Sequence, residues 1–181
     1  MSLLALYTVS LGAAAILLRM PFIWAPGWAR QALYAFPRNR WAGGVLTAID
    51  LAWVTWLLIN LHLGWFEPYK MALYLAAPVA WILLFVFMDE LLAVRALGGL
   101  FILMPTPLLE AARWHPSPAR YVMIVIAYAM VIVGVVYVAQ PHRFRRWARF
   151  FLQDRDEWTR WFGLAGVLAG SLLVILGLVF F

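Results

Sequence analysis

The chain has 181 residues, of which 66% are hydrophobic and only 12% are charged, and its formal net charge is +6. This composition excludes an ordinary soluble domain, in which about a quarter of the residues are charged. The positive charge does not indicate nucleic-acid binding, because the basic residues lie in short joints between apolar runs. The chain contains no Cys, which excludes disulfides, thiolate metal sites and a Cys nucleophile.

The apolar residues form six runs, and a helix crosses a bilayer with about 20 residues. In chain order the runs are Leu3–Leu18, Trp41–Trp65, Tyr69–Met88, Leu91–Ala112, Tyr121–Val138 and Trp161–Phe181. The first run is short, and we expect it to lie near the interior of the bundle or to thin the bilayer locally. The runs lack the short alternating pattern of transmembrane strands. The sequence therefore predicts an all-α integral membrane protein with six transmembrane helices.

The basic residues are concentrated in the odd-numbered joints between these runs. The first joint contains Arg19, Arg30, Arg38 and Arg40, and the fifth contains Arg143, Arg145, Arg146, Arg149, Arg155 and Arg160. The third joint fits less well, since only Arg95 accompanies Asp89 and Glu90 there. Because cytoplasmic loops collect Lys and Arg, the odd joints are predicted to face the cytoplasm. Both termini then lie on the non-cytoplasmic side.

The motif Arg-x-x-Gly opens the second, fourth and sixth runs, at Arg40, Arg95 and Arg160. If these arginines are equivalent, the chain is a single transmembrane domain of three tandem α-hairpins in parallel orientation. The hairpins cover residues 1–66, 67–113 and 119–181, with interfacial joints at 19–40 and 139–160. Asp89 and Glu90 fall at the depth of the three arginines, so we expect structural ion pairs among these five residues.

The glycines of these three runs predict close helix contacts of the small-residue kind. They are Gly43 and Gly44, Gly98 and Gly99, and Gly163, Gly166 and Gly170. A phosphate-binding loop is excluded, because these positions lie within the apolar runs, where no nucleotide would reach.

The fifth joint predicts an amphipathic helix in the membrane interface. Phe144, Trp147, Phe150 and Phe151 fall at i, i+3, i+6 and i+7, which places them on one helical face. The basic residues Arg143, Arg145, Arg146 and Arg149 accompany them, and Arg145, Arg146 and Arg149 lie largely off that face. Such a helix inserts its rings among acyl chains and holds its guanidinium groups near the phosphates of anionic lipids. It is either an anchoring belt or a surface that recruits a partner or a specific lipid.

The region from about residue 121 to residue 181 resembles the YjeT-like family of very small bacterial inner-membrane proteins. The residues that carry the resemblance are Pro141, the Arg-Trp pairs, Arg160, Phe162 and Gly163. Members of that family are two-helix hairpins with a basic amphipathic joint and a Gly-rich second helix. This chain lacks the Pro usual midway through the joint and has additional helices. The resemblance implies a location in the bacterial inner (cytoplasmic) membrane and little chemistry.

Asp50 is the most informative polar residue of the apolar runs. It follows Arg40 by ten positions, which places it about 15 Å into the second helix, near the bilayer centre. A carboxylate at that depth costs at least about 2.5 kcal/mol, so it faces the bundle interior, is protonated or is paired. With Thr106, which lies in the helix break at Met104 to Pro107, and Glu110, which follows on the next turn, it could line a polar cavity that carries a proton or cation. The alternatives are a neutral acid that hydrogen-bonds a neighbouring helix and a break that improves packing.

The sequence predicts no cofactor and no metal site. His62 or His115 could ligate haem, but neither has a second axial ligand at a similar depth, so haem is disfavoured. We therefore expect a non-enzymatic structural or accessory subunit of a membrane assembly, with anionic lipids and with other membrane subunits or a homo-oligomer as partners. A small transporter or channel with Asp50 as its ion site is the alternative, and a membrane-embedded lipid-modifying enzyme is the third.

Overall fold

The computed structural model of the protein describes residues 2–62, 64–88, 91–152 and 155–181. Within these residues the regular structure is entirely helical. The α-helices are α1 (Leu3–Trp24), α2 (Pro26–Ala35), α3 (Arg40–Asn60), α4 (Lys70–Phe87), α5 (Leu92–Leu103), α6 (Pro105–Arg113), α7 (Arg120–Ala139), α8 (His142–Leu152) and α9 (Asp156–Val179). Short 3-10 helices cover Phe36–Arg38 and Gly64–Tyr69.

Six helical spans among the described residues are long and apolar enough to cross a membrane, which confirms the predicted number. They are Leu3–Trp24, Arg40–Asn60, Glu67–Phe87, Leu92–Arg113, Arg120–Ala139 and Asp156–Val179. The division of these spans into three tandem hairpins stays a prediction.

The first span is longer than the sequence predicts, because α1 continues through Pro21 to Trp24. Pro lacks a backbone N–H, so its presence removes one hydrogen bond from the preceding turn. The residues after it compensate by packing: Phe22 and Ile23 lie against Gly163 of α9. The helix ends where the Ala25 N–H donates to the Pro21 carbonyl. At 22 residues, the span is not short.

The fourth span is interrupted where Met104 to Pro107 predict a break. The α5 helix ends at Leu103, and α6 begins at Pro105. Pro suits the first position of a helix, where its missing N–H would have no intrahelical partner in any case.

The chain divides into two compact units, each built from separate segments. The first unit comprises Met1–Tyr34, Met104–Val131 and Arg145–Phe181, and the second comprises Ala35–Leu103 and Ile132–Phe144. The predicted boundaries, with residues 1–181 as one transmembrane domain, stay a prediction.

In the first unit, α1 packs along α9, and the two helices are antiparallel. Gly177, near the end of α9, lies against Val9 of α1, whereas Gly163, near the start of α9, lies against Ile23. The start of α1 joins α6 and the start of α7 in a hydrophobic core made of Leu4, Leu108, Ala112, Met123 and Ala127.

In the second unit, α3 packs against both α4 and α5. Gly43 of α3 lies against Ala93, and Asp50 lies against Gly99, so α3 and α5 are parallel. Gly44, near the start of α3, lies against Phe85, near the end of α4, which makes that pair antiparallel. Arg40 and Arg95 therefore lie at the same end of this unit.

Candidate functional site

Asp50 lies in the second unit at the contact between α3 and α5. A Cβ built on Gly99 would lie 2.6 Å from Asp50 Oδ2, so the carboxylate occupies the space that a side chain at position 99 would take. Asp50 Oδ1 is closed to solvent and has no hydrogen-bond partner in the described part of the chain. The absence of a side chain at Gly99 therefore leaves room for this carboxylate between α3 and α5.

The predicted polar cavity joins three residues that do not share a unit. Asp50 belongs to the second unit, whereas Thr106 and Glu110 belong to the first, where both are exposed. Thr47, the polar residue one turn before Asp50, is buried and donates its hydroxyl proton to the Gly43 carbonyl at 2.8 Å. The Thr47 hydroxyl, which is the hydroxyl donor nearest to Asp50 along α3, is therefore already engaged by the backbone of its own helix.

The start of α3 is surrounded by aromatic rings from α4. Trp81 donates its indole N–H to the Gly44 carbonyl at 2.8 Å and stacks on Phe85. The Arg40 guanidinium lies over the Phe85 ring, 5.6 Å from its centroid, and donates to the Phe85 carbonyl at 3.4 Å. Gly44 leaves room for this cluster, because a Cβ there would lie 2.7 Å from Phe85 Cε2, whereas Gly43 leaves room for Leu92 and Ala93 of α5.

The predicted ion pairs between the helix-entry arginines and Asp89 or Glu90 lie outside the described residues, because Asp89 and Glu90 are not among them. Arg95 is half-buried and Arg160 is exposed. Elsewhere in the described part of the chain, Arg30 Nη1 lies 3.2 Å from Asp156 Oδ1, and Lys70 Nζ lies 2.8 Å from Glu67 Oε1.

The α8 helix carries the predicted basic and aromatic residues, but the structure divides its surface differently from the sequence prediction. Phe144 is only 8% exposed and contacts the rings of Phe36 and Tyr137. Ala148 and Leu152 continue this buried face, whereas Trp147, Phe150 and Phe151 are exposed. Phe144 is therefore not among the rings available to lipid.

The exposed surface of α8 separates aromatic from basic side chains. Successive residues advance by about 100° around a helix. Trp147 and Phe151 consequently lie on one side of the buried face, and Arg145 and Arg149 lie on the other. The surface opposite the buried face carries Arg143, Arg146 and Phe150, all exposed. This arrangement suits a helix that lies flat in an interface, with one flank toward acyl chains and the other toward phosphates.

Helices cross closely at two pairs of glycines, and in each pair the sequence analysis predicted the close contact of one glycine only. In the first unit, a Cβ on Gly12 would lie 2.6 Å from the Gly170 carbonyl oxygen. In the second unit, a Cβ on Gly98 would lie 2.7 Å from the Gly134 carbonyl oxygen. The predicted close contacts of Gly98 and Gly170 are confirmed, whereas Gly12 and Gly134 were missed.

A signal for these crossings is present in the sequence. Each of the four glycines is followed four residues later by Ile or Val, at positions 16, 102, 138 and 174. The β-branched side chain lies one turn beyond its glycine on the same face. Val174 therefore packs over Gly12, and Val138 packs in the same way over Gly98.

The histidines are not gathered into one site. Among the described residues, no group of three or more His, Asp or Glu side chains is placed to hold a metal ion. His115 packs edge-on against Phe181, with 5.1 Å between ring centroids, and its Nδ1 accepts a hydrogen bond from the Ser117 N–H at 3.2 Å. His62 is exposed.

Comparison with protein families gives a match in the C-terminal region. Residues 122–177 match a family described as "uncharacterized protein conserved in bacteria" (DUF2065). The match covers less than half of the chain and includes most of α7, all of α8 and most of α9. No match was found among curated proteins or solved structures. The C-terminal segment is therefore similar to a bacterial family, and the YjeT-like name stays a prediction.

Proposed function

We propose that the protein is a non-enzymatic accessory subunit of an assembly in the bacterial inner membrane, held at the membrane surface by α8. The observation that carries this proposal is the division of α8 into a buried face, an aromatic flank and a basic flank. A helix buried on one side by its own protein and lined on its flanks by lipid-compatible side chains fixes the depth of the protein in the bilayer.

The energetics of α8 favour anionic lipid as one partner. Each basic residue near an anionic surface contributes roughly 1 kcal/mol. Arg145 and Arg149 occupy the basic flank, and Arg143 and Arg146 lie on the exposed surface, so several guanidinium groups act together. The exposed Trp147 supplies an amphipathic ring of the kind enriched at membrane–water interfaces.

A second partner of the same assembly is another membrane subunit or a further copy of this chain. The α4 helix supports this, because none of its described residues is buried. Its apolar surface, which includes Met71, Leu75 and Phe87, faces outward from the second unit. In a bilayer this surface accepts lipid or the helix of a neighbouring subunit, whose association depends on close packing.

The proposed topology places the odd joints in the cytoplasm and both termini on the other side, with the spans arranged as three tandem hairpins. Two observations support it within the units: α1 and α9 are antiparallel, and α3 and α5 are parallel. Because the chain has no Cys, single cysteines at positions 40, 95 and 160 test it directly. All three should react with a membrane-impermeant thiol reagent from the same side. One position labelled from the opposite side would contradict the hairpin scheme.

Lipid binding by α8 is tested by native mass spectrometry after extraction in mild detergent. The double variant Arg145→Gln/Arg149→Gln removes the basic flank, and at roughly 1 kcal/mol per charge we expect about a thirtyfold weaker retention of phosphatidylglycerol. Arg113→Gln is the matched control, because Arg113 is exposed and lies outside α8. Equal lipid retention by the double variant and the control would refute the proposal for α8.

The accessory role is tested by affinity purification of the full chain from native membranes. The protein should co-purify with other membrane subunits or with itself at a fixed stoichiometry, and Asp50→Asn should leave that stoichiometry unchanged. Recovery as a monomer with lipid alone, after crosslinking in the membrane, would contradict the assembly role.

A second candidate function is a small transporter or channel, favoured by the enclosed Asp50 Oδ1 that lacks a hydrogen-bond partner among the described residues. Carboxylates within a membrane mark ion or proton pathways. Proteoliposomes containing the protein should then show proton or cation flux that Asp50→Asn abolishes. Flux that is absent, or unchanged by the substitution, removes this candidate.

A further inference from the structure

The first unit contains an open cleft beside the start of α9. Its volume is about 480 Å³, and it is lined by Arg30, Arg155, Asp156 and Glu157. The volume falls in the range of small-molecule sites. The described residues that line it supply two guanidinium groups and two carboxylates, so their charges balance.

The charges of the cleft are not all satisfied by one another. Arg30 Nη1 lies 3.2 Å from Asp156 Oδ1, and the Arg30 side chain is 23% exposed. Arg155 and Glu157 are both exposed, and neither makes an ion pair within residues 2–62, 64–88, 91–152 and 155–181. Among the described residues of the cleft, the Arg155 guanidinium and the Glu157 carboxylate are therefore available to a ligand.

Exposed tryptophans place the cleft at the level of lipid headgroups. The antiparallel packing of α1 and α9 brings the end of α1 to the start of α9, and the residues on both sides are aromatic. Trp24 and Trp28 come from α1 and α2, and Trp158 and Trp161 come from α9, all of them exposed. Tryptophan concentrates at the headgroup level of a bilayer. A ligand in the cleft consequently lies where phospholipid headgroups lie.

We propose that the cleft binds the headgroup of a zwitterionic phospholipid that carries a primary ammonium, namely phosphoethanolamine. Arg155, assisted by Arg30, donates hydrogen bonds to the phosphate oxygens. The Glu157 carboxylate accepts a hydrogen bond from the ammonium. The opposite charges of the two available side chains thus match the opposite charges of one headgroup.

This charge pattern also predicts selectivity between headgroups. A choline headgroup has a quaternary ammonium, which has no N–H to donate to Glu157. A glycerol headgroup has no cation, so it leaves Glu157 without a partner and places the phosphate near two carboxylates. The site therefore differs from α8, which attracts anionic lipid through an excess of positive charge.

The experiment measures lipid binding to the full chain in mild detergent by native mass spectrometry, with phosphatidylethanolamine, phosphatidylcholine and phosphatidylglycerol of identical acyl chains. We expect phosphatidylethanolamine to bind about tenfold more tightly than phosphatidylcholine, which corresponds to one hydrogen bond to a charged group. Equal binding of these two lipids would overturn the proposal.

Single variants test the residue that binds the ammonium and the residue that binds the phosphate separately. Glu157→Gln should reduce the preference for ethanolamine over choline to about twofold or less, whereas Arg155→Gln should weaken both lipids together. Glu110→Gln is the control, because Glu110 is an exposed acid outside the cleft. A full ethanolamine preference in Glu157→Gln, or its loss in Glu110→Gln, would refute the assignment. Circular dichroism melting of each variant verifies that it is folded.

A final arm distinguishes a lipid from a soluble ligand with the same chemistry. Glycerophosphoethanolamine carries the headgroup without acyl chains, and it should compete only at concentrations far above those of the lipid. If it binds as tightly as phosphatidylethanolamine, the cleft takes a free phosphoethanolamine compound, and the lipid assignment is wrong. The selectivity for anionic lipid at α8 is measured separately, so failure at the cleft leaves the proposed accessory function intact.

Discussion

The two units of the molecule cross helices at glycine contacts of nearly identical geometry, yet they use them differently. The α1/α9 crossing at Gly12 and Gly170 is one of several close approaches along that pair. Gly163, Gly166 and Gly177 extend it in both directions. At the α5/α7 crossing, Gly98 and Gly134 approach each other in the same way, and Gly99 beside them receives the Asp50 carboxylate instead of another helix backbone.

This difference follows from the connections of the chain. The α5–α6 span and α7 are joined by the short segment 114–119, which limits how far their joined ends can separate. The α1 and α9 helices are separated by more than a hundred residues, so no short connection keeps them together. The close backbone approach along α1 and α9 supplies packing that no short connection between these helices provides. In the second unit, one glycine instead makes room for a polar side chain.

The largest effect is expected from Gly12→Ala. A Cβ there would lie 2.6 Å from a backbone oxygen, which cannot move without separating α1 from α9. Overpacking of this kind costs typically 1–3 kcal/mol, and we expect about 3 kcal/mol in the free energy of unfolding. Titration with SDS in mixed micelles measures it. Gly27→Ala is the control, because no atom lies within 4 Å of its Cβ, and equal stability of the two variants would refute the crossing.

Gly98→Ala should have a smaller effect, about 2 kcal/mol, although its Cβ would lie at a similar 2.7 Å from a backbone oxygen. The short connection between α6 and α7 limits how far the helices separate, so the crossing loosens without coming apart. The same micelle titration compares it with Gly12→Ala. A larger loss for Gly98→Ala would show that chain connection does not account for the difference between the units.

Gly99→Ala tests the contact between position 99 and the Asp50 carboxylate, and we expect it to lower the free energy of unfolding by about 1 kcal/mol. Its Cβ would meet the Asp50 carboxylate, the end of a side chain that can rotate away. In Asp50→Ala that obstacle is absent, so Gly99→Ala should then be nearly neutral. A double-mutant cycle measures this coupling. Additive losses would mean that the carboxylate does not occupy the space beside position 99.

Phe162→Leu should produce the smallest measurable change, about 0.5–1 kcal/mol. The Arg19 guanidinium lies 3.9 Å from the centroid of the Phe162 ring, a cation–π contact that Leu cannot make although it keeps most of the apolar bulk. Phe101→Leu is a matched control in the other unit, where the ring stacks on Tyr137 and not on a cation. Only Phe162→Leu should lose stability more strongly at low than at high ionic strength.

Composition and periodicity sufficed to predict the number of spans, the all-α class and the break before Pro105, because each depends on local sequence. The extent of α1 was not predictable in the same way. Pro21 indicates a helix end, and the contact of Phe22 and Ile23 with Gly163 reverses that preference. That contact joins residues that only the folded chain brings together.

The candidate sites also depend on contacts between helices that the sequence alone does not reveal. The apolar run around Asp50 left open whether the carboxylate faces the interior, is protonated or is paired, and the glycine that accommodates it belongs to another helix. On α8, the spacing of four aromatic residues predicted a single lipid face, whereas Phe144 is taken by Phe36 and Tyr137. Helical periodicity identifies which side chains share a face and does not identify which neighbour covers that face.

The pairing of α1 with α9 has a consequence for biogenesis. Domains fold as the chain is synthesised, beginning from the N-terminal side, but α1 is made more than a hundred residues before Asp156 and the helix that begins there. Until then the small-residue surface around Gly12 lacks the helix that packs against it. The packing of α1 is therefore completed late in synthesis, when α9 has been made.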